Sequence, residues 1–371
     1  MAAASQPVAN APAAPALAEP LEVVAARRWR PQVRVMPHHL ALAAVLALSA
    51  LLNTYRLSQN GYANIFYSAG IKSMLRSLHN FLFVSFDPGG LIMIDKPPLG
   101  LWVQAASAKV FGFSPMSLIL PEAIAGVLAV ALLYRILVGR FGRVAALAGA
   151  LALAVFPSFV AVSRANGVDS LLILLMILAC EAGLRAVETG RWRYLLLCAV
   201  LVGLAFNTKT LAAYLVIPGI AVAYVLCAPG SITRRGMQLL AAGALLVAVS
   251  FSWITLVDLT PASSRPYVGG STNNSELGLT FGYNGFGRVG GQVGGPGRIP
   301  TGAGALVHSP RVRAPHGHLR LGAAGSAAPA APRHYATMLD GRERNPQAFG
   351  GPPRPLRLFG TQLGDQGSWI L

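Results

Sequence analysis

The chain of 371 residues is 54% hydrophobic and only 12% charged, with a mean hydropathy of +0.54. An ordinary soluble domain carries about 25% charged residues, so this composition excludes the soluble globular class and indicates an integral membrane protein. The formal net charge of +17 would also suit nucleic-acid binding. However, the bases of the apolar part lie between hydrophobic runs, as topology signals do, and we expect no nucleic-acid partner.

The first segment, residues 1–36, is rich in Ala and Pro and ends in the basic stretch "AARRWRPQVR". This composition predicts a disordered cytoplasmic arm. A signal peptide is the less favoured interpretation, because the first apolar stretch begins late and no small-residue cleavage site follows it.

Seven apolar runs follow, and each is long enough to cross a hydrocarbon core at about 1.5 Å per residue. They cover residues 39–57, 117–138, 143–162, 168–187, 194–209, 210–227 and 237–257. The sequence therefore predicts an all-α, multi-spanning membrane protein of about seven spans, with its transmembrane core over residues 37–258.

A long segment, residues 58–116, separates the first two runs. Within it, Tyr67, Ile71, Met74 and Leu78 recur at intervals of three or four residues, which predicts an amphipathic helix lying in the membrane interface. Residues 99–111, beyond a pair of prolines, predict a second interfacial helix.

The arginines predict the orientation. With the N-terminus in the cytoplasm, every inner segment carries several of them: Arg27, Arg28, Arg30, Arg34, Arg135, Arg140, Arg143, Arg185, Arg191, Arg193, Arg234 and Arg235. The short outer turns carry one base each, so the positive-inside rule is satisfied. Residues 58–116, the turns near 163–167 and 209–210, and everything after Asp258 are then predicted on the outer face.

The C-terminal part changes character. Residues 259–285 predict an ordered outer loop, whereas residues 286–352 are a low-complexity run of Gly, Pro, Ala, Arg and His that indicates disorder, or a disturbed reading frame in a GC-rich gene. Residues 353–371 predict the start of a further membrane-associated segment, as in a chain truncated or altered at this end. The three cysteines lie inside apolar runs, so neither disulfides nor a zinc site is expected.

The charged residues of the predicted outer face include Asp87, Asp95, Lys96, Arg164, Asp169 and Lys209. Charge near the membrane is costly unless it is paired or functional, so these residues are candidates for one site. Lysine or arginine there would hold a lipid-linked phosphate and stabilise the charge that builds up as the phosphate leaves. A carboxylate opposite would act as a general base. Together they suit sugar transfer from a polyprenyl-phosphate carrier.

Structural explanations compete at each position. Asp95 and Lys96 would also form an interfacial salt bridge before prolines that open a helix. Asp169 would offset a helix dipole, and Lys209 would anchor the end of a span. For His79 a hydrogen-bonding role at the interface is favoured, because no second ligand stands at a metal-binding spacing.

Five motifs then resemble a known family: "NGYANIFYSAGIKSML", "SLHNFLFVSFDPGG", "IDKPPLGLWVQAASAKVFGFS", "SRANGVDSLLILLMILA" and "RPYVGGSTNNS". They are similar to bacterial members of glycosyltransferase family 39, which includes protein O-mannosyltransferases and aminoarabinose–lipid A transferases. The resemblance covers about residues 40–285 and returns at 353–371.

The resemblance implies a GT-C fold, a helical bundle whose first outer loop carries interfacial helices and catalytic elements. It also implies polyprenyl-phosphate sugar donors and inverting chemistry. Lys96 matches the lysine that contacts the donor phosphate, Asp95 the acid before it, and Asp169 an acid of a later outer loop. Arg164 and Lys209 join the donor-phosphate candidates by proximity alone.

The sequence departs from the family at one point. Many relatives carry an Asp-Glu pair shortly before a tyrosine equivalent to Tyr67, and this pair supplies the base, whereas this chain has Ala63 and Asn64. The candidate catalytic acids are therefore Asp95, Asp169 and Asp87, in that order, with Asn64, Tyr67 and His79 as further site candidates. No cofactor or bound metal is required, although a divalent cation is compatible with the site.

The leading hypothesis is a membrane glycosyltransferase of the bacterial cytoplasmic membrane. It would move a mannose-like or aminoarabinose-like sugar from a polyprenyl-phosphate donor to an envelope protein, lipid or glycan on the outer face, among membrane lipids as partners. A lipid-linked substrate transporter or flippase is the alternative, and it would place charges near the membrane midplane in repeated halves. A non-catalytic remnant is the third hypothesis, given the missing Asp-Glu pair and the altered tail.

Overall fold

The computed structural model describes residues 37–286, and this part of the chain is helical, with no strand in it. Two isolated bridges, Ser85 with Met93 and Ile92 with Tyr267, are its β-type pairings. The predictions made for residues 1–36, for the low-complexity segment beyond Phe286 and for residues 353–371 lie outside the described residues.

The α-helices run in the following order. They are α1 Pro37–Thr54, α2 Ile65–Met74, α3 Leu78–Leu82, α4 Pro98–Phe111, α5 Pro115–Val155, α6 Pro157–Ser163, α7 Asp169–Thr189, α8 Trp192–Lys209, α9 Ile217–Cys227, α10 Ile232–Leu259 and α11 Glu276–Phe281. Short 3-10 helices cover Leu57–Asn60 and Thr210–Val216, and a π-type turn covers Gly282–Phe286.

Five helical segments of the described part are long and apolar enough to cross a membrane: His38–Asn60, Pro115–Val155, Asp169–Thr189, Trp192–Cys227 and Ile232–Leu259. The predicted class, a multi-spanning helical membrane protein, is confirmed. The count of seven spans stays a prediction, since two of these segments each cover two predicted runs.

Both of these long segments are interrupted where one predicted run gives way to the next. Gly142 adopts φ 81° and ψ 176° inside α5, a conformation open to glycine. At the end of α8, Thr210 adopts φ 42° and ψ −130°, which is uncommon for a β-branched residue. The backbone is therefore broken at both predicted boundaries.

Two elements differ from their predicted extents. The amphipathic helix ends at Met74, and Leu78 begins the separate helix α3 behind the N-cap Ser77. The run predicted over 143–162 breaks at Phe156, because the residue before Pro157 is pushed out of the helical region and adopts φ −65° and ψ 115°. The second helix expected in the loop is present as α4, one residue longer than predicted.

The loop between α1 and α5 packs on the end of α10. Its buried residues Ile71, Met74 and Ile94 share one apolar cluster with Trp253 and Val257 of α10 and with Val268 and Leu279 beyond it. The indole nitrogen of Trp253 donates a hydrogen bond of 3.0 Å to the carbonyl of Leu82. Segments distant in sequence are thus fixed against each other at the end of the bundle where Asp95 and Lys96 lie.

Candidate active site

Asp95 and Lys96 form an ion pair immediately before α4. The Lys96 Nζ lies 2.6 Å from Asp95 Oδ2, and only 9% and 19% of the two side chains, respectively, are exposed. The same Nζ lies 3.4 Å from Asn284 Oδ1 and 5.4 Å from the centre of the Tyr283 ring. Asn284 also donates a hydrogen bond of 2.9 Å to the Asp95 carbonyl, so the turn at residues 283–284 covers the pair.

The strand-like segment that leads to Asp95 is held by the "YVGG" motif of residues 267–270. The amide of Met93 donates to the Tyr267 carbonyl at 2.8 Å, and the amide of Tyr267 donates to the Leu91 carbonyl at 2.8 Å. A Cβ added at Gly269 would lie 2.3 Å from the Met93 carbonyl oxygen, and one at Gly270 would lie 3.6 Å from the Asp95 Cβ. Gly269 is needed because the two backbones approach so closely, and Gly270 adopts φ +84°, a conformation that favours glycine.

A second ion pair joins Asp169, in the first turn of α7, to Lys209, the last residue of α8. Both side chains are about one-third exposed, at 32% and 35%. The pair is therefore more accessible to solvent or to a ligand than Asp95 and Lys96 are.

The first turn of α4 brings the two ion pairs to adjoining positions. A Cβ added at Gly100 would lie 2.4 Å from Val168 Cγ1 and 3.6 Å from Thr208 Cγ2, and these residues directly precede Asp169 and Lys209. On the other side of the Asp95–Lys96 pair, a Cβ added at Gly285, which follows Asn284, would lie 3.0 Å from Leu211 Cδ1. The structure therefore gathers four of the six candidate charges at one end of the bundle.

Asp87 has a local structural role. Its Oδ2 accepts hydrogen bonds of 2.9 Å from the amides of Leu91 and Ile92. Desolvation would raise the pKa of this carboxyl, but backbone donors, first Ile92 and then Leu91 and Gly89, outweigh it and hold the pKa below its usual value. Asp87 therefore closes the turn before the DKPP motif.

Arg164 contacts helix α1. Its guanidinium donates hydrogen bonds of 2.7 Å to the Leu52 carbonyl and 2.8 Å to the Tyr55 carbonyl. Carbonyls at the end of a helix lack partners within the helix, so a cation there is both a cap and a complement to the dipole. These hydrogen bonds of Arg164 thus tie the "SRANG" turn to α1.

Asn64 stands where many relatives have an acid, and it caps α2. Its side-chain oxygen accepts a hydrogen bond of 3.2 Å from the amide of Tyr67. Its own amide donates to Asn166 Oδ1 at 2.7 Å, which links α2 to the "SRANG" turn. Tyr67 packs against the apolar cluster below the loop.

His79 lies in α3 with its ring centre 4.8 Å from that of Phe83. No group of three or more His, Cys, Asp or Glu side chains within residues 37–286 could hold a metal ion. His79 therefore has no metal-binding partners in this part of the chain.

Glu276, at the start of α11, is an acid that the sequence analysis missed. Its side chain is buried, at 1% exposure, and its Oε2 has no hydrogen-bond partner among the described residues. Burial, followed by the neighbouring carboxylates of Asp258 and Asp95, raises its pKa well above the usual value, although Lys96 opposes this. A single Glu in a polar loop carries no sequence signal of burial.

Glu122 is a second acid that was missed, and it orients Asp169. It is fully buried in α5, and its Oε2 accepts hydrogen bonds of 3.1 Å from the amides of Ser170 and Leu171 at the start of α7. Gln104 of α4 donates to Glu122 Oε1 at 3.4 Å and to the Gly167 carbonyl at 2.6 Å. An isolated acid inside the predicted span 117–138 was a signal that could have revealed it.

The two lysine–aspartate pairs lie at one end of a bundle of apolar helices that are long enough to cross a membrane. The family model described as dolichyl-phosphate-mannose-protein mannosyltransferase matches residues 95–254, from Asp95 into α10. The chain is also similar to two proteins of Bacillus subtilis (strain 168). "Putative mannosyltransferase YycA" is 39% identical over 363 residues, covering 89% of this chain and 53% of that protein. "Putative mannosyltransferase YkcB" is 36% identical over 372 residues, covering 90% of this chain and 52% of that protein.

These matches agree with the family resemblance that the motifs indicated. A mannosyltransferase family model matches residues 95–254, and both relatives carry the name of a mannosyltransferase. The chain spans about half the length of the two curated relatives. The crystal structure of ArnT from Cupriavidus metallidurans in the apo state is similar over 59% of this chain and 41% of that chain, at 21% identity and a TM-score of 0.47.

Proposed function

We propose that this chain carries the donor site of a membrane glycosyltransferase. The enzyme moves a mannose-like or aminoarabinose-like sugar from a polyprenyl-phosphate donor to an envelope protein, lipid or glycan, on the outer face of the bacterial cytoplasmic membrane. The observation that carries this proposal is the juxtaposition of two lysine–aspartate pairs around the first turn of α4, inside the region that matches the mannosyltransferase family.

Lys96 is the proposed ligand of the donor phosphate. Its side chain is 9% exposed, and a charge in so poorly solvated a place interacts more strongly with a phosphate than it would in water. Lys209 is the second proposed phosphate ligand. Together they would stabilise the negative charge that grows on the phosphate as its bond to the sugar breaks.

An inverting transfer places the base on the side of the sugar opposite the phosphate. The acceptor oxygen forms a bond to the anomeric carbon, the bond from that carbon to the phosphate oxygen breaks with its electron pair passing to the phosphate, and the acceptor proton moves to a carboxylate. Two adjoining lysine–aspartate pairs suit this reaction, because the lysine of one pair can bind the phosphate while the aspartate of the other pair supplies the base. If Lys96 binds the phosphate, Asp169 is suited to act as the base. If Lys209 binds the phosphate, Asp95 is suited to act as the base.

The other candidates have supporting roles in this proposal. Asp87 ranks last among the acids because its Oδ2 already accepts two backbone hydrogen bonds. Asn64 and Arg164 are assigned to the α1–α2 connection by their hydrogen bonds, and Tyr67 and His79 to the packing of the loop.

The test is sugar transfer in membranes that contain the full chain, with radiolabelled polyprenyl-phosphate mannose and related donors. The labelled product is separated into protein, lipid and glycan fractions to identify the acceptor class. We expect Lys96→Ala to lower transfer by about 100-fold or more, as loss of a charge-stabilising donor does in other enzymes. Lys109→Ala, an exposed lysine near the other end of α4, is the matched control and should remain within about twofold of the unchanged chain.

The variants Asp95→Asn and Asp169→Asn separate the roles of the two acids. If the changed residue is the base, sugar transfer should stop while the donor still binds to the membranes. If the changed residue only orients its lysine, the substitution should weaken donor binding instead. Asp87→Asn should transfer nearly normally. Normal transfer by both Lys96→Ala and Lys209→Ala would contradict the proposed donor site.

A further inference from the structure

Two cavities lie at the end of the bundle opposite to Asp95 and Lys96. One is formed by the turn between α7 and α8 together with the turn between α9 and α10. The other runs between α8, α9 and α10. Helix α8 starts at this end and finishes at Lys209, and α10 starts here and finishes beside Asp258, so neither cavity belongs to the proposed donor site.

The first cavity is polar and basic. Its volume is about 370 Å³, and its lining includes Arg191, Arg193, Arg234 and Trp192. Gly190, with φ +64°, packs on the ring of Pro229, and a Cβ added there would lie 3.2 Å from Pro229 Cδ. The close contact of these two turns brings arginines from α8 and α10 to one cavity.

The three arginines of this basic cavity are not neutralised. Within residues 37–286 no carboxylate forms an ion pair with Arg191, Arg193 or Arg234. By contrast, Arg140 and Arg185, at the same end of the bundle, pair with Glu181 at 3.1 Å and 2.6 Å. The cavity therefore concentrates positive charge that no carboxylate of residues 37–286 neutralises.

One arginine of the cavity is also oriented. Arg193 donates a hydrogen bond of 3.3 Å to the Tyr194 hydroxyl, and its guanidinium carbon lies 5.0 Å from the centre of the Tyr194 ring. A guanidinium ordered in this way presents its remaining N–H groups to a phosphate at less entropic cost than a free side chain does.

The second cavity is an apolar groove between α8, α9 and α10. Its volume is about 210 Å³, and its lining includes Leu195, Cys198, Ile220, Leu239 and Gly243. Leu195 follows Arg193 by two residues on α8, and Leu239 follows Arg234 by five residues on α10. At about 1.5 Å per residue these steps are within roughly 8 Å along the helix axes, so the two cavities are neighbours along α8 and α10.

We propose that the basic cavity and the apolar groove together bind one anionic phospholipid, with its phosphate at Arg191, Arg193 and Arg234 and an acyl chain in the groove. Arginine clusters bind phosphate through several N–H donors at once, and basic pockets between membrane helices bind anionic headgroups. Trp192, which lines the basic cavity and is exposed, has the amphipathic character found at the headgroup level. Arginines that served only as topology signals would not need to converge on one cavity from the starts of α8 and α10.

The test is native mass spectrometry of the purified full chain in detergent, titrated separately with phosphatidylglycerol and with phosphatidylcholine of the same acyl chains. We expect one phosphatidylglycerol to be retained at least about tenfold more tightly than phosphatidylcholine. At about 1 kcal/mol per basic residue, the Arg191→Gln/Arg234→Gln double variant should weaken retention by about tenfold to thirtyfold. The control is Arg135→Gln/Arg143→Gln, which removes two arginines outside the cavity and should retain the lipid.

The acyl-chain part of the site is tested separately. A Cβ added at Gly243 meets no atom within 4 Å, so Gly243→Leu would fill the groove without a clash at that atom, and it should weaken lipid retention. Gly236→Leu, on the same helix and equally open but outside the groove lining, is the matched control. Circular dichroism verifies that each variant is folded.

Four results would overturn the proposal. They are equal retention by the two double arginine variants, equal retention of the two phospholipids, retention of polyprenyl phosphate alone, and full displacement of the lipid by soluble glycerophosphate. None of these results depends on sugar transfer, so the lipid site and the donor site are tested independently.

Discussion

Glu276 is an acid kept from water beside two other carboxylates, and this position makes the stability of the protein depend on pH. Its pKa is raised by burial and by Asp258 and Asp95, so the native state holds a proton that the unfolded state releases above its ordinary pKa of about 4.3. The free energy of unfolding therefore falls as the pH rises from that value toward the raised native pKa.

Glu276→Gln should remove this dependence. We expect the variant and the unchanged chain to melt at similar temperatures near pH 4.5, and the variant to melt at a higher temperature by pH 8, because an amide has no charge to bury. Thermal unfolding in detergent across this pH range measures the effect. Asp87→Asn is a control for which the pH dependence has the opposite sign. The pKa of Asp87 is lowered in the folded state, so its carboxylate stabilises the fold above the unfolded pKa, and this stabilisation is lost in acid. Parallel melting curves for Glu276→Gln and the unchanged chain would contradict the prediction.

Arg164 offers a test of structure against catalysis at a single residue. Its two hydrogen bonds to α1 carbonyls involve a charged donor, and each such bond contributes about 1.5–3 kcal/mol. Because the guanidinium is partly exposed, we expect Arg164→Ala to lower the free energy of unfolding by about 2–3 kcal/mol in total, at the lower end of that range.

The comparison is with Lys96→Ala. We expect Arg164→Ala to lose thermal stability and to keep donor binding, and Lys96→Ala to lose donor binding, with thermal unfolding and binding of labelled donor measured on the same membranes. If Arg164→Ala is stable but no longer binds the donor, the structural role is wrong and Arg164 is a ligand of the donor phosphate.

At the scale of elements, the contact of α4 with the start of α7 decides how the two ion pairs meet. Gly100→Ala would put a Cβ 2.4 Å from Val168 Cγ1 and would push the first turn of α4 away from Asp169. Overpacking of this kind costs about 1–3 kcal/mol, and we expect both stability and sugar transfer to fall.

The matched control for Gly100→Ala is Gly139→Ala in α5, where an added Cβ meets nothing within 4 Å. That change should be neutral or stabilising by up to about 1 kcal/mol, since alanine is the better helix former. Adding Val168→Ala to Gly100→Ala should restore part of the transfer, because it removes the clashing methyl groups. No recovery in the double variant would show that the α4–α7 contact does not limit activity.

Much of this element pattern could be predicted from hydrophobic runs. The boundaries at residues 142–143 and 209–210 were visible because polar or small residues interrupt the runs, and the backbone breaks at Gly142 and Thr210. The break at Phe156 was overlooked although Pro157 signals it, because hydropathy continues across the proline without change. The end of α2 at Met74 was overlooked because Leu78 continues the same period in the next helix.

The candidate site was only partly predictable. Asp95, Lys96, Asp169 and Lys209 were found together because they carry charge where the topology does not need it, and the structure makes them two adjoining pairs. Arg164 also carries charge where the topology does not need it. Its partners, however, are backbone carbonyls at the end of α1, and such partners have no sequence signature. Glu276 was missed because its burial comes from packing between segments distant in sequence, and no local pattern records such packing.

At the scale of the whole molecule, the two ends of the helical bundle differ in their chemistry. One end gathers Asp95, Lys96, Asp169 and Lys209, and the other carries arginines, some paired with Glu181 and Glu188 and some unpaired within the described residues. The positive-inside rule assigns the arginine-rich end to the cytoplasm. The proposed donor site would then face outward, where no soluble nucleotide sugar is available and a lipid-linked donor is needed.

This orientation can be measured with single cysteines in a chain that lacks Cys180, Cys198 and Cys227. Thr272, in the loop after α10, and Thr233, at the start of α10, are both exposed and lie at opposite ends of that helix. A membrane-impermeant maleimide should label Thr272→Cys in intact bacterial cells and should label Thr233→Cys only after the membrane is permeabilised. Both variants must react fully in detergent, which controls for local accessibility. Labelling of Thr233→Cys in intact cells, with Thr272→Cys protected, would invert the topology. It would place the donor site in the cytoplasm and the arginine cavity outside, even though the arginines favour the opposite arrangement by about 1 kcal/mol each near an anionic leaflet.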